Sequence, residues 1–182
     1  KTRFFVETAN LYLPAPGVID GRHQVQIRPA QGQVSELTIL VPESLTVSEV
    51  SGAQVTNWQF DADERTLKFS ITPPQSTEFS ILVDTQKALD PLPAESTLEP
   101  IRVLNAEGEV GLVAFAFGPD AQPESIDSDT LSQVNINDFS AGLLPNDSVT
   151  LHRVYRYSQE GGEIAMRVAP VAPEVRVTSR EI

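Results

Sequence analysis

The sequence predicts an all-β protein, an antiparallel β-sandwich with hardly any helix. Three observations carry that prediction. Between Glu36 and Val83 apolar residues fall on every second position: Leu37, Ile39 and Val41; Leu45 and Val47; Trp58 and Phe60; Leu67, Phe69 and Ile71; Phe79, Ile81 and Val83. Period-two alternation puts those side chains on one sheet face, so each run reads as a half-buried strand. The breaks between runs are turn chemistry, at Pro42, Ser51-Gly52, Asp61-Ala62-Asp63 and Pro73-Pro74. Across the whole chain such turns recur at the spacing of about 8–12 residues that sandwiches show, which gives about ten to twelve strands.

Taken in order, Phe4 to Leu13 is a strand with aromatic ends, stopped by Pro14 and Pro16-Gly17. Asp20-Gly21 is a turn signal, and alternation resumes at Val25 and Ile27. The 36–83 stretch then reads as one antiparallel meander with a single oily face. Residues 84–99 carry two prolines and scattered acids and read as a connection between two halves. The expected domain is therefore one sandwich over 1–182, with an internal division near 84–99 as the alternative. Ile101 to Leu104 starts a new strand. Glu109 to Phe117 returns, apolar on both faces, and so belongs at the centre of a sheet. Gly118 to Pro145 is the least regular region, with a helical turn expected near 129–134 capped by Asp127 or Ser128. Val149 to Tyr157 and Ile164 to Val168 form a hairpin around Glu160-Gly161-Gly162. Val175 and Val177 make a last short strand.

Composition narrows the function. The chain has 182 residues, a net charge of −12 and no cysteine. That charge excludes nucleic acid as a partner, because no basic stripe offsets the phosphate repulsion. Residues 84–148 hold 12 acidic and 2 basic side chains and read as solvated surface. The absence of cysteine excludes disulfides and thiolate chemistry. No apolar run approaches the roughly 20 residues of a membrane helix, so this segment does not insert. The start at Lys1-Thr2-Arg3, without an initiator Met, reads as a segment of a longer or processed protein.

Candidate chemistry is sparse. His23 and His152 have no metal-spaced partner and read as surface histidines. Asp127, Asp129, Asn135, Asn137 and Asp138 gather hard oxygens of the kind calcium prefers, but the spacing is not an EF-hand. A solvated loop is the better reading there, with no cofactor beyond weak calcium; Asp61, Asp63 and Glu64 read as a hairpin tip. Trp58 with the pair Tyr155 and Tyr157, and Tyr12 besides, are the rings available to a sugar platform. Trp58 shares parity with Phe60, however, and the two tyrosines share it with Leu151, so core positions explain all three. Arg153, between apolar neighbours, reads as half of a structural ion pair.

Two phrases carry a resemblance: LTILVPESLTVSEVSGAQVTNWQFD and RTLKFSITPPQSTEFSILV. Over about residues 24–84 the chain resembles extracytoplasmic β-sandwich modules of large bacterial envelope proteins. The resemblance implies a periplasmic or cell-surface location and an architecture, and it transfers no catalytic residue. The function expected is a non-catalytic structural or protein-interaction module, monomeric, with a protein or polysaccharide as partner. The alternatives are a carbohydrate-binding module and, less favoured, a glycoside hydrolase built on paired carboxylates.

Overall fold

The computed structural model describes residues 1–172. The strands are β1 (Arg3–Ala15), β2 (Val18–Gln31), β3 (Val34–Leu40), β4 (Thr46–Ser51), β5 (Val55–Asp61), β6 (Thr66–Gln75), β7 (Phe79–Ala88), β8 (Ala94–Leu98), β9 (Arg102–Val103), β10 (Gly108–Phe117), β11 (Ala121–Asp127), β12 (Ser132–Val134), β13 (Thr150–Ser158) and β14 (Ile164–Pro170). Two 3₁₀ turns, Ile136–Asp138 and Ala141–Leu143, are the only helical elements among the described residues. The protein is all-β, as the alternation requires.

The strands form three sheets. A seven-stranded sheet runs β12-β13-β10-β1-β2-β7-β4, a four-stranded sheet β5-β6-β3-β9, and a three-stranded sheet β11-β14-β8. The main apolar cluster draws on all three, from Phe4 through Ile39, Ile71, Ile81 and Phe115 to Val168. The two smaller sheets therefore close over one face of the large one, as sandwich packing demands. A second cluster lies on the opposite face of the large sheet: Leu11, Ala114, Ala116 and Val154, roofed by Phe139 and Leu143 from the 3₁₀ turns. Side chains cap those turns. Asn135 Oδ1 accepts from Asn137 N at 2.8 Å and Ser140 Oγ from Gly142 N at 3.3 Å.

β10 is an interior strand of the large sheet, as its two-faced apolarity predicts. It pairs antiparallel with β13 and parallel with β1, Tyr12 lying opposite Phe115. That parallel pair departs from the purely antiparallel expectation. The 36–83 stretch is also no single meander. β3, β5 and β6 belong to the four-stranded sheet, whereas β4 and β7 join the seven-stranded one. Alternation reports which residues face inward, and both sheets face the same core, so it cannot report which sheet a strand joins.

Five local expectations are corrected. Asp20-Gly21 is no turn but lies inside β2, the turn falling at Pro16-Gly17. The arms around Gly161-Gly162 do not pair as a hairpin, because β13 belongs to the seven-stranded sheet and β14 to the three-stranded one. Residues 84–99 are not a plain connection, because β7 continues to Ala88 and β8 occupies Ala94–Leu98. The turn at 129–134 is not helical. Ser128 Oγ accepts from Thr130 N at 3.2 Å and Leu131 N at 2.9 Å, but the chain then extends into β12, which pairs with β13. Within the irregular 118–145 region, β11 pairs with β14 despite Pro123, with a bulge between Pro123 and Ser125. The expected strand at Val175 and Val177 lies outside the described residues.

Candidate functional site

The inner face of the large sheet carries a stripe of polar side chains where apolar ones would be expected. On β1 the inward positions run Phe4, Val6, Thr8, Asn10 and Tyr12; on β2 they run Ile19, Gly21, His23, Val25 and Ile27. Thr85 of β7 and Glu109 of β10 continue the stripe on either side. Thr8, Asn10, His23, Thr85 and Glu109 are each at most 4% exposed. Buried polar groups must find partners, and these find one another.

The hydrogen bonds run in one direction. Ile101 N can only donate, and it donates to Asn10 Oδ1 at 3.3 Å. The amide orientation of Asn10 follows: Nδ2 donates to Thr8 Oγ1 and to Leu112 O, each at 3.1 Å. Asn10 Oδ1 therefore also accepts from His23 Nδ1 at 2.6 Å, which places the imidazole proton on Nδ1. His23 Nε2 is then an acceptor, filled by the Thr85 hydroxyl at 2.8 Å. Thr8 Oγ1, having accepted from Asn10, donates to the Tyr157 hydroxyl. Tyr157 donates to Glu109 Oε2 at 2.7 Å, and Glu109 Oε1 accepts from Val103 N at 3.0 Å. The run of side-chain donors from Thr85 through His23, Asn10, Thr8 and Tyr157 ends on one carboxylate.

Two glycines make room for this stripe. A Cβ on Gly21 would lie 2.8 Å from His23 Nε2 and strike the Thr85 hydroxyl. A Cβ on Gly111 would lie 2.5 Å from both Thr8 O and Tyr157 Cε1. Arg102 of β9 places its Nε 3.9 Å from Glu109 Oε1, and its side chain is 33% exposed against 2% for Glu109. Of the two, Arg102 is the one that reaches water.

Burial sets the proton affinities. It pushes the His23 imidazole down to about 3. It pushes the Glu109 carboxyl up, opposed by the hydrogen bonds from Tyr157 and Val103 N and by the charge of Arg102. Tyr157 is pushed up by burial and then by the Glu109 charge, and Tyr12 by burial and then by Glu99. Tyr12 donates its hydroxyl to Glu99 O at 2.5 Å. The segment Glu99–Val103 is thus fastened to the large sheet by side chains of the stripe, at Glu99 O, Ile101 N and Val103 N.

The residues singled out in the sequence are placed elsewhere or otherwise. His23 is not at the surface but wholly buried, because it shares inward parity with Ile19, Val25 and Ile27. Tyr155 and Tyr157 are 3% and 2% exposed and present no ring to solvent, whereas Trp58 on β5 is half-buried against the core. The three rings form no row. Asp127 and Asp129 line one surface groove with Glu163, and Asp138 lines a different one with Glu7 and Gln24. Asn135 spends its side-chain oxygen on the Asn137 amide. Among the described residues no three His, Asp or Glu side chains converge as metal ligands. Asp61 closes its hairpin by accepting from Asp63 N at 2.9 Å and Glu64 N at 3.0 Å. Among the described residues Arg153 forms no ion pair; its Nη1 donates to Ile126 O at 2.5 Å, fastening β13 to β11.

No protein-family model matches the chain, and no curated protein matches it. Among solved structures it is similar in fold to an M1 zinc metallopeptidase of Deinococcus radiodurans, a mutant bound to a Tyr-Ser-Ala substrate. The TM-score is 0.51 at 9% identity, over 91% of this chain and 42% of that one. Two-domain M1 zinc metallopeptidase mutants bound to L-tryptophan and to L-arginine each give a TM-score of 0.50, at 9% and 11% identity over the same shares. The likeness concerns the fold, and the chain spans 42% of the length of those structures.

Proposed function

We propose that this chain is a non-catalytic structural or interaction module of a larger protein, working in the periplasm or at the cell surface. The observation that carries the reading is the use made of the buried polar groups. His23, Glu109, Tyr157, Thr8 and Thr85 have the side chains that acid–base or nucleophilic chemistry needs, and each is bonded to another within the core. Glu109 has Tyr157, Arg102 and a backbone amide around it and no second carboxylate among those partners, which disfavours a glycosidase pair. The burial of Tyr155 and Tyr157 likewise disfavours a sugar platform. The partial coverage of the two-domain metallopeptidases accords with a domain that works beside others.

The test compares the isolated chain with its parent protein. Aminoacyl anilides and aryl glycosides should both go unhydrolysed by the isolated chain. Hydrogen exchange should show one continuous surface protected only in the parent. Hydrolysis by the chain that disappears in Glu109→Gln would overturn the reading, as would identical exchange in both contexts.

A further inference from the structure

Glu109 ends the chain of hydrogen bonds, and the group that donates to it has a second acceptor within reach. Tyr157 Oη lies 2.7 Å from Glu109 Oε2 and 3.4 Å from Ile101 O. One hydroxyl proton serves one of these oxygens well. While Glu109 is ionised its carboxylate is the stronger acceptor and holds that proton. A proton bound at Glu109 Oε2 turns that oxygen into a donor aimed at Tyr157 Oη. The Tyr157 hydroxyl then rotates about its own C–O bond and donates to Ile101 O, losing no proton. Thr8 keeps donating to Tyr157 Oη in both arrangements, and Val103 N keeps donating to Glu109 Oε1. In the ionised arrangement Ile101 O has the Tyr157 hydroxyl only at 3.4 Å, and among the described residues Arg102 Nε is buried without a hydrogen-bond partner.

We propose that Glu109, Tyr157 and Ile101 form a two-position proton switch: protonation of Glu109 swings the Tyr157 hydroxyl to the Ile101 carbonyl and releases the Arg102 guanidinium. The groups facing Glu109 are few. β13 presents Tyr157, β9 presents Arg102, and β1 presents Val6 and Thr8, which do not titrate. Arg102 loses its counter-charge on the buried side and keeps its field on exposed Glu99, whose carboxyl is pushed up, chiefly by burial, with Arg102 a minor opposing charge. Glu163 acts on Glu99 in the opposite sense to Arg102. Acid therefore changes the charge balance at β9, an edge strand of the four-stranded sheet. Burial raises Glu109, which moves the switch towards milder acidity than an exposed glutamate would allow.

A carbon-13 NMR titration of the whole chain from about pH 8 to about pH 4 tests this. The Glu109 carboxyl, the Tyr157 ring carbon bearing the hydroxyl, the Ile101 carbonyl and the Arg102 guanidinium carbon Cζ should move with one common midpoint, above the ordinary glutamate value. In Glu109→Gln the amide donates permanently to Tyr157. The Ile101 carbonyl should then sit at its acid position at every pH, with the common transition gone. In Tyr157→Phe the Ile101 carbonyl should stop responding while Glu109 still titrates. An Ile101 carbonyl that stays still, or moves with a midpoint different from that of Glu109, overturns the switch. So does a Glu109 that holds one protonation state throughout. Should Glu109→Gln not fold, the wild-type titration alone decides.

Discussion

Asn10 and His23 face each other across the β1–β2 pairing, with Asn10 Oδ1 2.6 Å from His23 Nδ1. That contact fixes the imidazole as the Nδ1–H tautomer and leaves Nε2 to accept from Thr85. The folded protein thus holds His23 neutral, whereas the unfolded chain holds it as an ordinary histidine.

The pH dependence follows from that difference. The folded value is about 3 and the unfolded value 6.5. Between them the unfolded state binds the extra proton, so the His23 contribution is intact above 6.5 and is lost as pH falls towards about 3. Glu109 works with the opposite sign, because its raised affinity makes the folded state the better proton binder. The difference between wild type and His23→Leu isolates the histidine. At neutral pH the variant should lose about 2–5 kcal/mol, since Asn10 and Thr85 are each left with an unfilled bond. Urea titrations should show that gap narrowing by about 1.4 kcal/mol per pH unit below 6.5. Curves that stay parallel would refute a buried neutral His23.

Gly111→Ala should cost about 1–3 kcal/mol or more, because the new methyl meets the Thr8 backbone oxygen and the Tyr157 ring rather than a flexible chain end. Gly118→Ala is the control. Its Cβ finds nothing nearer than Val149 Cγ2 at 3.9 Å, and its midpoint should stay within about 0.5 kcal/mol of wild type. Equal midpoints for the two variants would show that the stripe tolerates expansion.

Phe115→Ala should cost about 3–5 kcal/mol, since Phe115 is fully buried between Tyr12 and Tyr155. Trp58→Ala should cost about 2 kcal/mol, because the Trp58 side chain is half-buried and gives up correspondingly less apolar contact. Denaturant midpoints with an unchanged slope measure both. A larger loss for Trp58 than for Phe115 would invert the burial found here.

Arg153→Met should cost about 1–3 kcal/mol by taking the charged donor from Ile126 O, which keeps the Tyr155 hydroxyl at 3.3 Å. Its acceptor is a carbonyl and not a carboxylate. The loss should therefore be the same at low and at molar salt, which thermal melts in both would show. A penalty that vanishes in high salt would restore the ion pair.

Much of the inward-facing pattern is written plainly in the sequence. Leu37 with Ile39, Leu67 with Phe69 and Ile71, and Val113 with Phe115 and Phe117 all alternate, and all are buried. Sheet membership is not written there, because β4 and β5 are neighbours in the chain but bury their residues from opposite sides of one core. Parity also fails at a bulge. Opposite Phe115 and Ala116 the partners step from Arg153 to Leu151, skipping His152. Leu151 consequently joins the outer cluster while Tyr155 and Tyr157 join the inner one. The polar stripe left a trace that apolar counting passes over. Thr8, Asn10, His23 and Glu109 occupy inward-parity positions of otherwise apolar strands, and reading every residue of that parity finds them.

The one-way run of hydrogen bonds has a consequence for how the strands find each other. Sliding β1 along β2 by two residues would keep all the oily side chains facing inward, so hydrophobicity alone would accept the error. The polar stripe rejects it. Asn10 would then stand opposite Gly21 or Val25 instead of His23, and the donors meant for its amide would be sealed in the interior without mates. A closed interior with unmated amide and imidazole groups is costly enough to reopen. Asn10 and His23 therefore act as a proofreading pair, letting only one alignment of the two longest strands survive to the finished sheet.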